Sequence, residues 1–335
     1  MKKDFPFISL LLAVRNEENV ILKCLNAISR LDYPSDKIEV LIGNDSSTDT
    51  SLELIETFAK PLPHFNVYTI TKQIGALNGK ANVLAQLAQK AKGELFLITD
   101  ADVVVPPTWA KYMVSSIIKN PRIGIISGIT IPNSNRSFIS CFEAIDWLLV
   151  LVSVSLASKL GFAITSPGNN MLIRKTAYQA VGGFEATQNA ITEDYAILKL
   201  ITQKKWHFKG LTSKNIFAKT VGSKSYKALL SQRKRWLKGA IQSSPKLKLL
   251  VWVVAVIPSF LLVASLVSLN FFYFVFLARW IILYFYLIAI LLHYRQYKLL
   301  LLLPFYELYQ LTFTTVLAFS YLNSKAVIWK GRDYS

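Results

Sequence analysis

The sequence predicts a mostly parallel α/β domain followed by helices of membrane length, and three observations carry this. Strand-like apolar runs alternate with helically spaced stretches through the first hundred residues. Two carboxylates, Asp100 and Asp102, stand directly behind one of those runs. The stretch 247–292 has only Lys248 and Arg279 as charged residues, enough apolar sequence for two bilayer helices of about 20 residues each.

The elements follow in order. Phe7 to Val14 reads as a buried strand, and Glu18 to Arg30 has helical spacing through Val20, Ile21, Cys24, Leu25 and Ile28. Lys37 to Gly43 is a second strand, Thr50 to Lys60 a helix and Phe65 to Thr71 a strand. Gly79 to Lys92 is a helix that leads into the strand Glu94 to Thr99. Such alternation is the signature of a parallel sheet covered by helices, and ligands of open α/β sheets sit at the carboxyl ends of the strands. The expected organisation is a globular domain over residues 1–240 and a membrane domain over 241–335. Its helices are expected at about 247–268, 270–292 and 299–322, the last weakened by Pro304 and Glu307. Phe138 to Leu160 is also apolar, but Glu143 and Asp146 flank its core. A crossing there would put Asp100 and Asp194 on opposite sides of the membrane, so an interfacial helix is expected.

Charge and composition place the chain. It is 53% hydrophobic with a formal net charge of +18, and no acidic residue occurs between Asp194 and Glu307. The basic run from Lys199 to Lys238 immediately precedes the apolar stretch, which favours an anionic cytoplasmic leaflet as partner over nucleic acid, for which no motif is present. Phe5 to Val14 is broken by Pro6 and runs into charge without a small-residue cleavage site, so the globular part is expected on the cytoplasmic face of the inner membrane. Positive-inside counting gives His293 to Lys298 and the tail with Lys325, Lys330 and Arg332 the same side. Either the third segment is re-entrant at Pro304 or the tail is external. Cys24 and Cys141 are two and far apart, and His64, His207 and His293 are scattered, which argues against disulfides and zinc.

Several constellations carry chemistry. Asp100-Ala101-Asp102 can turn two carboxylates into one space and hold a hard divalent cation. Asn44-Asp45-Ser46-Ser47-Thr48-Asp49 is a polar turn whose carboxylate can accept from a nucleobase or ribose, or simply cap a helix. Thr192-Glu193-Asp194 opens a helix, where the macrodipole is expected to lower a carboxylate pKa and keep a base ionised; a plain cap explains it equally. Gln232-Arg233-Lys234-Arg235-Trp236 offers a guanidinium for a diphosphate and an aromatic face for a sugar, or an interfacial anchor. Gly75 to Ala81 is not a phosphate loop: it has three residues where four are required, and Ala81 where Ser or Thr must stand.

In order and spacing these motifs, with Val14-Arg15-Asn16-Glu17-Glu18, Asn78-Gly79-Lys80-Ala81-Asn82, Gly168-Asn169-Asn170 and Gly182-Gly183-Phe184, resemble the inverting glycosyltransferases of family 2 over about residues 7–240. Gln232-x-x-Arg235-Trp236 resembles the motif of membrane-embedded members similar to ceramide glucosyltransferases, hyaluronan synthases and cellulose synthases. The resemblance implies a GT-A fold, a Rossmann-like nucleotide-sugar-binding domain, a UDP-sugar donor and Mg2+ or Mn2+. It implies that Asp45 holds the uracil, that Lys80, Asp100, Asp102 and Arg235 bind the donor, and that Asp102 is the metal ligand. Asp194 is then the general base, with Glu193, Gln232 and Trp236 on the acceptor. Asn44-Asp45 departs from the usual Asp-Asp pair, which weakens the case for uridine. Two or three helices are few for a polysaccharide channel. The expected acceptor is therefore a lipid or lipid-linked hydroxyl, the alternatives being a processive synthase subunit and a catalytically silent scaffold.

Overall fold

The computed structural model describes residues 5–77, 79–134, 137–188, 190–243, 269–322, 328–329 and 332–333. The chain divides into two compact units, Met1–Ile131 with Val150–Val221, and Pro132–Leu149 with Gly222–Ser335.

The first unit is built on β1 (Ile8–Val14), α1 (Ile21–Ser29), β2 (Ile38–Asn44), α2 (Ser51–Ala59), β3 (Phe65–Thr69), α3 (Gly79–Lys90) and β4 (Leu95–Asp100). α4 (Trp109–Ile118), β5 (Ile123–Ser127) and β6 (Thr130–Pro132) follow, and α5 (Phe138–Lys159) gives residues to both units. β7 (Asn170–Arg174), α6 (Lys175–Gln179), α7 (Glu193–Gln203), β8 (His207–Gly210) and β9 (Ala218–Thr220) complete it. Seven strands form one sheet in the order β3-β2-β1-β4-β7-β5-β8, in which only β7 runs antiparallel to its neighbours; β6 pairs with β9 in a small separate sheet.

The apolar runs are strands because both of their faces are covered. Every residue of β2 is buried. In β1 and β4, Leu10, Leu12, Leu95 and Leu97 pack with α1, α2 and α4 through Leu25, Ile55 and Trp109. Leu11, Phe96 and Ile98 point the other way, onto Val83 and Leu84 of α3 and Ile197 of α7. The chain leaves β1 for β2 and β3 on one side, then crosses to β4 on the other. That is the switch point at which open sheets expose a crevice. Register aligns the edges there: Val14 opposes Asn44, Ala13 opposes Asp100, and Thr99 opposes Asn170.

α1 begins three residues later than its periodicity suggests. Asn16 turns through φ 52°, and Glu18 is spent on the β2–α2 loop, where its Oε2 accepts from Thr50 N at 3.1 Å and Thr50 Oγ1 at 2.8 Å. Asn16 Oδ1 accepts from Thr48 N at 2.8 Å, so the loops after β1 and β2 brace each other.

Asn170 locks β7 into the sheet. Its side chain is fully buried, accepts from Trp109 Nε1 at 2.8 Å and donates to the carbonyls of Ile216 and Ile129 at 2.9 and 3.2 Å. Asn170→Ala strands one donor and two acceptors in the core. It is expected to destabilise the fold by about 3 kcal/mol or more, read as a lower thermal midpoint of the purified chain.

The second unit contains the amino-terminal half of α5 with α8 (Tyr226–Ser243), α9 (Leu269–His293) and α10 (Leu303–Leu322). The helix expected at 247–268 lies outside the described residues, while those expected at 270–292 and 299–322 are α9 and α10. Pro304 occupies the first turn of α10, where its missing N–H costs no hydrogen bond. Glu307 is 3% exposed and pairs with Arg279 of α9, whose other arm reaches Gln310 Oε1 at 2.9 Å, so the two charges of these helices answer each other. Phe274, Ile282 and Phe285 on α9 and Leu308 and Phe319 on α10 are exposed. Among the described residues, three helices, Phe138–Lys159, Tyr273–His293 and Tyr297–Tyr321, are long and apolar enough to cross a membrane.

Candidate active site

The candidate site lies at the carboxyl edge of the sheet in the first unit, where β1, β2 and β4 end side by side. Asp100 is the last residue of β4 and Asp102 follows in the turn. Lys80, in the first turn of α3, reaches across to Asp100: its Nζ lies 2.5 Å from Asp100 Oδ1, 3.4 Å from Glu193 Oε1 and 3.4 Å from the carbonyl of Gly168. One ammonium thus joins the end of β4, the loop before β7 and the start of α7. Burial opposes its charge, but Asp100, Glu193 and Asp194 outweigh burial and push its pKa up, so Lys80 stays a cation.

Asp194 is held from two sides. Its Oδ2 accepts from the Gly168 N–H at 2.9 Å and its Oδ1 from the Tyr195 N–H at 2.8 Å. Gly168 has to be glycine for this approach: a Cβ there would stand 2.9 Å from Asp194 Cβ and 3.2 Å from Lys80 Nζ. The loop is fixed in turn by Thr99 Oγ1, which donates to the Asn169 carbonyl at 3.0 Å. The expectation that the helix start lowers this carboxylate's pKa is wrong. Burial first, then neighbouring Glu193, raise it from 3.8 to about 6, against the opposing pull of Lys80 and the two N–H donors. Nor is Asp194 a plain cap, since one of its bonds reaches 26 residues back along the chain.

Asp102 is positioned from afar. β9 bridges to Val104, with Val104 N donating to the Lys219 carbonyl at 2.7 Å, and this brings Thr220 Oγ1 to donate to Asp102 Oδ2 at 2.9 Å. Asp45, just past β2, is 8% exposed; Arg15 Nη1 donates to its carbonyl at 2.6 Å and lies 3.9 Å from its carboxylate. The Asn44-to-Asp49 turn also caps: Asp49 accepts from the N–H groups of Ser51 and Glu18 at 3.0 and 3.2 Å. Arg15, Gly168 and Thr220 were given no role by sequence reasoning. Arg15, one residue past a predicted strand end, and Gly168 both stand in motifs that carry the family resemblance, whereas Thr220 had no signal.

The structure brings together Lys80, Asp100, Glu193 and Asp194. Gln232, Arg235 and Trp236 lie on α8 in the second unit and are described within it. There Trp236 meets Trp147 edge-on at 5.4 Å between ring centroids, and it is Arg233 whose guanidinium stacks on Trp236, at 4.6 Å. Among the described residues, no group of three or more His, Cys, Asp or Glu side chains is gathered to enclose a metal.

Comparison with known proteins agrees with this architecture. The family model described as "Glycosyl transferase family 21" matches residues 1–335. A beta-monoglucosyldiacylglycerol synthase of Trichormus variabilis is 27% identical over 243 residues, 72% of this chain and 50% of the relative. A poly-beta-1,6-N-acetyl-D-glucosamine synthase of Staphylococcus epidermidis is 29% identical over 191 residues, 57% of this chain and 44% of the relative. The chain spans about half the length of the curated relatives it matches. Among solved structures, a mannosyltransferase of Pyrobaculum calidifontis in complex with GDP-Man and Mn2+ superposes with a TM-score of 0.65 at 19% identity, covering 96% of this chain and 89% of that one. The fold is accordingly GT-A.

Proposed function

This chain belongs to glycosyl transferase family 21, and on that premise we propose that it is a membrane-bound inverting glycosyltransferase. It moves a sugar from a nucleoside diphosphate donor, a UDP-sugar, to a hydroxyl of a lipid or lipid-linked acceptor. The observation that carries this is the cluster at the sheet's switch point, where Asp194 stands beside a cation, Lys80, that also holds Asp100 and Glu193.

In the reaction, Asp194 takes the proton of the acceptor hydroxyl as that oxygen attacks the anomeric carbon from the face opposite the leaving group. A new C–O bond forms, the bond from the anomeric carbon to the diphosphate breaks, and the nucleoside diphosphate departs with the electron pair. Lys80 supplies positive charge where the departing diphosphate gathers negative charge. Asp45 holds the base of the donor, with Arg15 bracing its carbonyl. Arg235 is assigned to the diphosphate, and Glu193, Gln232 and Trp236 to the acceptor.

A divalent cation fits the site. The donors at Asp100 and Asp102 are hard oxygens, and a cationic group already rests on Asp100. With so few carboxylates gathered, diphosphate oxygens and water would complete the coordination shell, as is usual for Mg2+. Bound at Asp102, Mg2+ or Mn2+ would supply neutralisation of the leaving group. The mannosyltransferase with the same fold was solved with Mn2+.

A lipid acceptor is supported by the exposed apolar faces of α9 and α10 and by the beta-monoglucosyldiacylglycerol synthase relative. The enzyme is placed in the inner membrane as a multi-pass protein with its catalytic unit on the cytoplasmic face, where the basic run from Lys199 to Lys238 meets anionic lipid. The poly-N-acetylglucosamine synthase relative favours a second reading, a processive synthase subunit. Incubating the purified chain with radiolabelled UDP- and GDP-sugars and a membrane lipid extract distinguishes these. A single-sugar glycolipid is the expected product, a long polymer supports the second reading, and no transfer to any acceptor leaves a silent scaffold.

A further inference from the structure

Within the second unit, α5 presents two adjacent side chains, Asp146 and Trp147, to α8 and α10. Asp146 accepts from Tyr306 Oη at 2.6 Å and Tyr309 Oη at 3.1 Å, and faces Arg233 Nη2 at 3.5 Å. Two phenols and a guanidinium answer one carboxylate, so this charge is closed within the cluster. Trp147 is different. It is 9% exposed and packs edge-on against Trp236, yet its Nε1–H meets no acceptor among the described residues. One turn before Trp236 on the same face of α8, the buried Oε1 of Gln232 meets no donor among the described residues. Buried indole N–H and amide groups are nearly always satisfied. Here an open donor and an open acceptor flank one aromatic ring. A hydroxyl completes such a pair, because it accepts one hydrogen bond and donates another. An ionised phosphate oxygen only accepts, and would turn a lone pair toward Gln232 Oε1.

We infer that Trp147 and Gln232 bind a second hydroxyl of the acceptor, not the one whose proton Asp194 takes, Trp147 donating to it and Gln232 accepting from it, while the Asp146–Arg233 pair fixes α5 against α8. The inference rests on the glycosyltransferase reading and adds Trp147 to it as a residue that recognises the acceptor. It also limits that subsite to a hydroxyl rather than a phosphate.

Trp147→Phe tests this, since it keeps a ring against Trp236 and removes only the N–H donor. The probe is 1-octanoylglycerol, which keeps two free hydroxyls, titrated calorimetrically into the full chain in detergent micelles without nucleotide sugar. Its binding is expected to weaken about 2- to 10-fold, the range for one neutral hydrogen bond. Acceptor KM should rise by a similar factor, with donor KM and the thermal midpoint unchanged. Gln232→Leu should give a comparable loss, and the double variant little more than either alone, because one hydroxyl serves both residues. Equal binding by Trp147→Phe and wild type, or no saturable binding by wild type, overturns the inference. The reading of the reaction fails separately, if wild type binds the lipid but transfers no sugar to it or to any other hydroxyl.

Discussion

Asp194→Asn is expected to lower sugar transfer by three orders of magnitude or more while leaving donor affinity and the thermal midpoint close to wild type. General-base catalysis is worth about 10²- to 10⁴-fold, and an amide cannot take the proton. The substitution is isosteric and keeps one of the two backbone hydrogen bonds now made to Gly168 and Tyr195. What it loses in the second bond it regains in charge. Burial and Glu193 disfavour the ionised form, which is why the carboxyl sits at about 6 rather than 3.8. Because the folded value is the higher one, the ionised carboxylate costs stability that is fully present above about pH 6. That cost disappears as the pH falls toward 4, and Asn removes it at every pH. The same value sets the pH dependence of catalysis. kcat/KM should rise about tenfold per unit below pH 6 and level off above it, with the group poised near working pH as a base should be. An Asn variant with near-normal turnover, or a flat wild-type profile through this range, would remove Asp194 from the role.

The contrast between Asp194 and the sheet that carries it shows what could be read in advance. Parallel strands buried on both faces leave continuous apolar runs, so β1, β2 and β4 were legible, and with them the place of Asp100 at a strand end. β6, β8 and β9 are three or four residues long and are defined by pairing rather than by local pattern. The site depends on such distant pairings: Thr220 reaches Asp102 across 118 residues, and Lys80 reaches Gly168 across 88. No window of sequence contains either contact. The macrodipole argument for Asp194 failed for a related reason, because it used only the helix to which the residue belongs. Burial and Glu193 act on the same carboxylate, and together they exceed the effect of a helix terminus. Pro304 and Glu307 are a different case, because the helix accommodates both. Each looked unfavourable in a span until its position was known, one in the first turn of α10 and the other paired with Arg279.

Asp102→Asn carries the second large effect, an expected loss of about 10²- to 10³-fold in kcat/KM, the range seen when one group stabilising developing charge is removed. Asn can still accept from Thr220 Oγ1, so the turn after β4 keeps its shape and the loss reports charge rather than folding. Thr220→Val makes the complementary change. It leaves the carboxylate and removes its positioning donor, and a smaller loss of about 10- to 30-fold is expected, the lower part of the range for one hydrogen bond to a charged group. Exhaustive chelation should silence wild type, with activity restored by added Mn2+ or Mg2+, whereas the Asn variant should need far more metal for any recovery. Lys80 makes this a sharp test, because it is a cation already seated on Asp100 and offers a metal-free way of meeting the diphosphate. If Lys80 alone suffices, chelated enzyme keeps its turnover, Lys80→Met abolishes it, and Asp102 is no metal ligand. If a divalent cation is required, chelation abolishes turnover in the presence of an intact Lys80, and the two carboxylates behind β4 hold it.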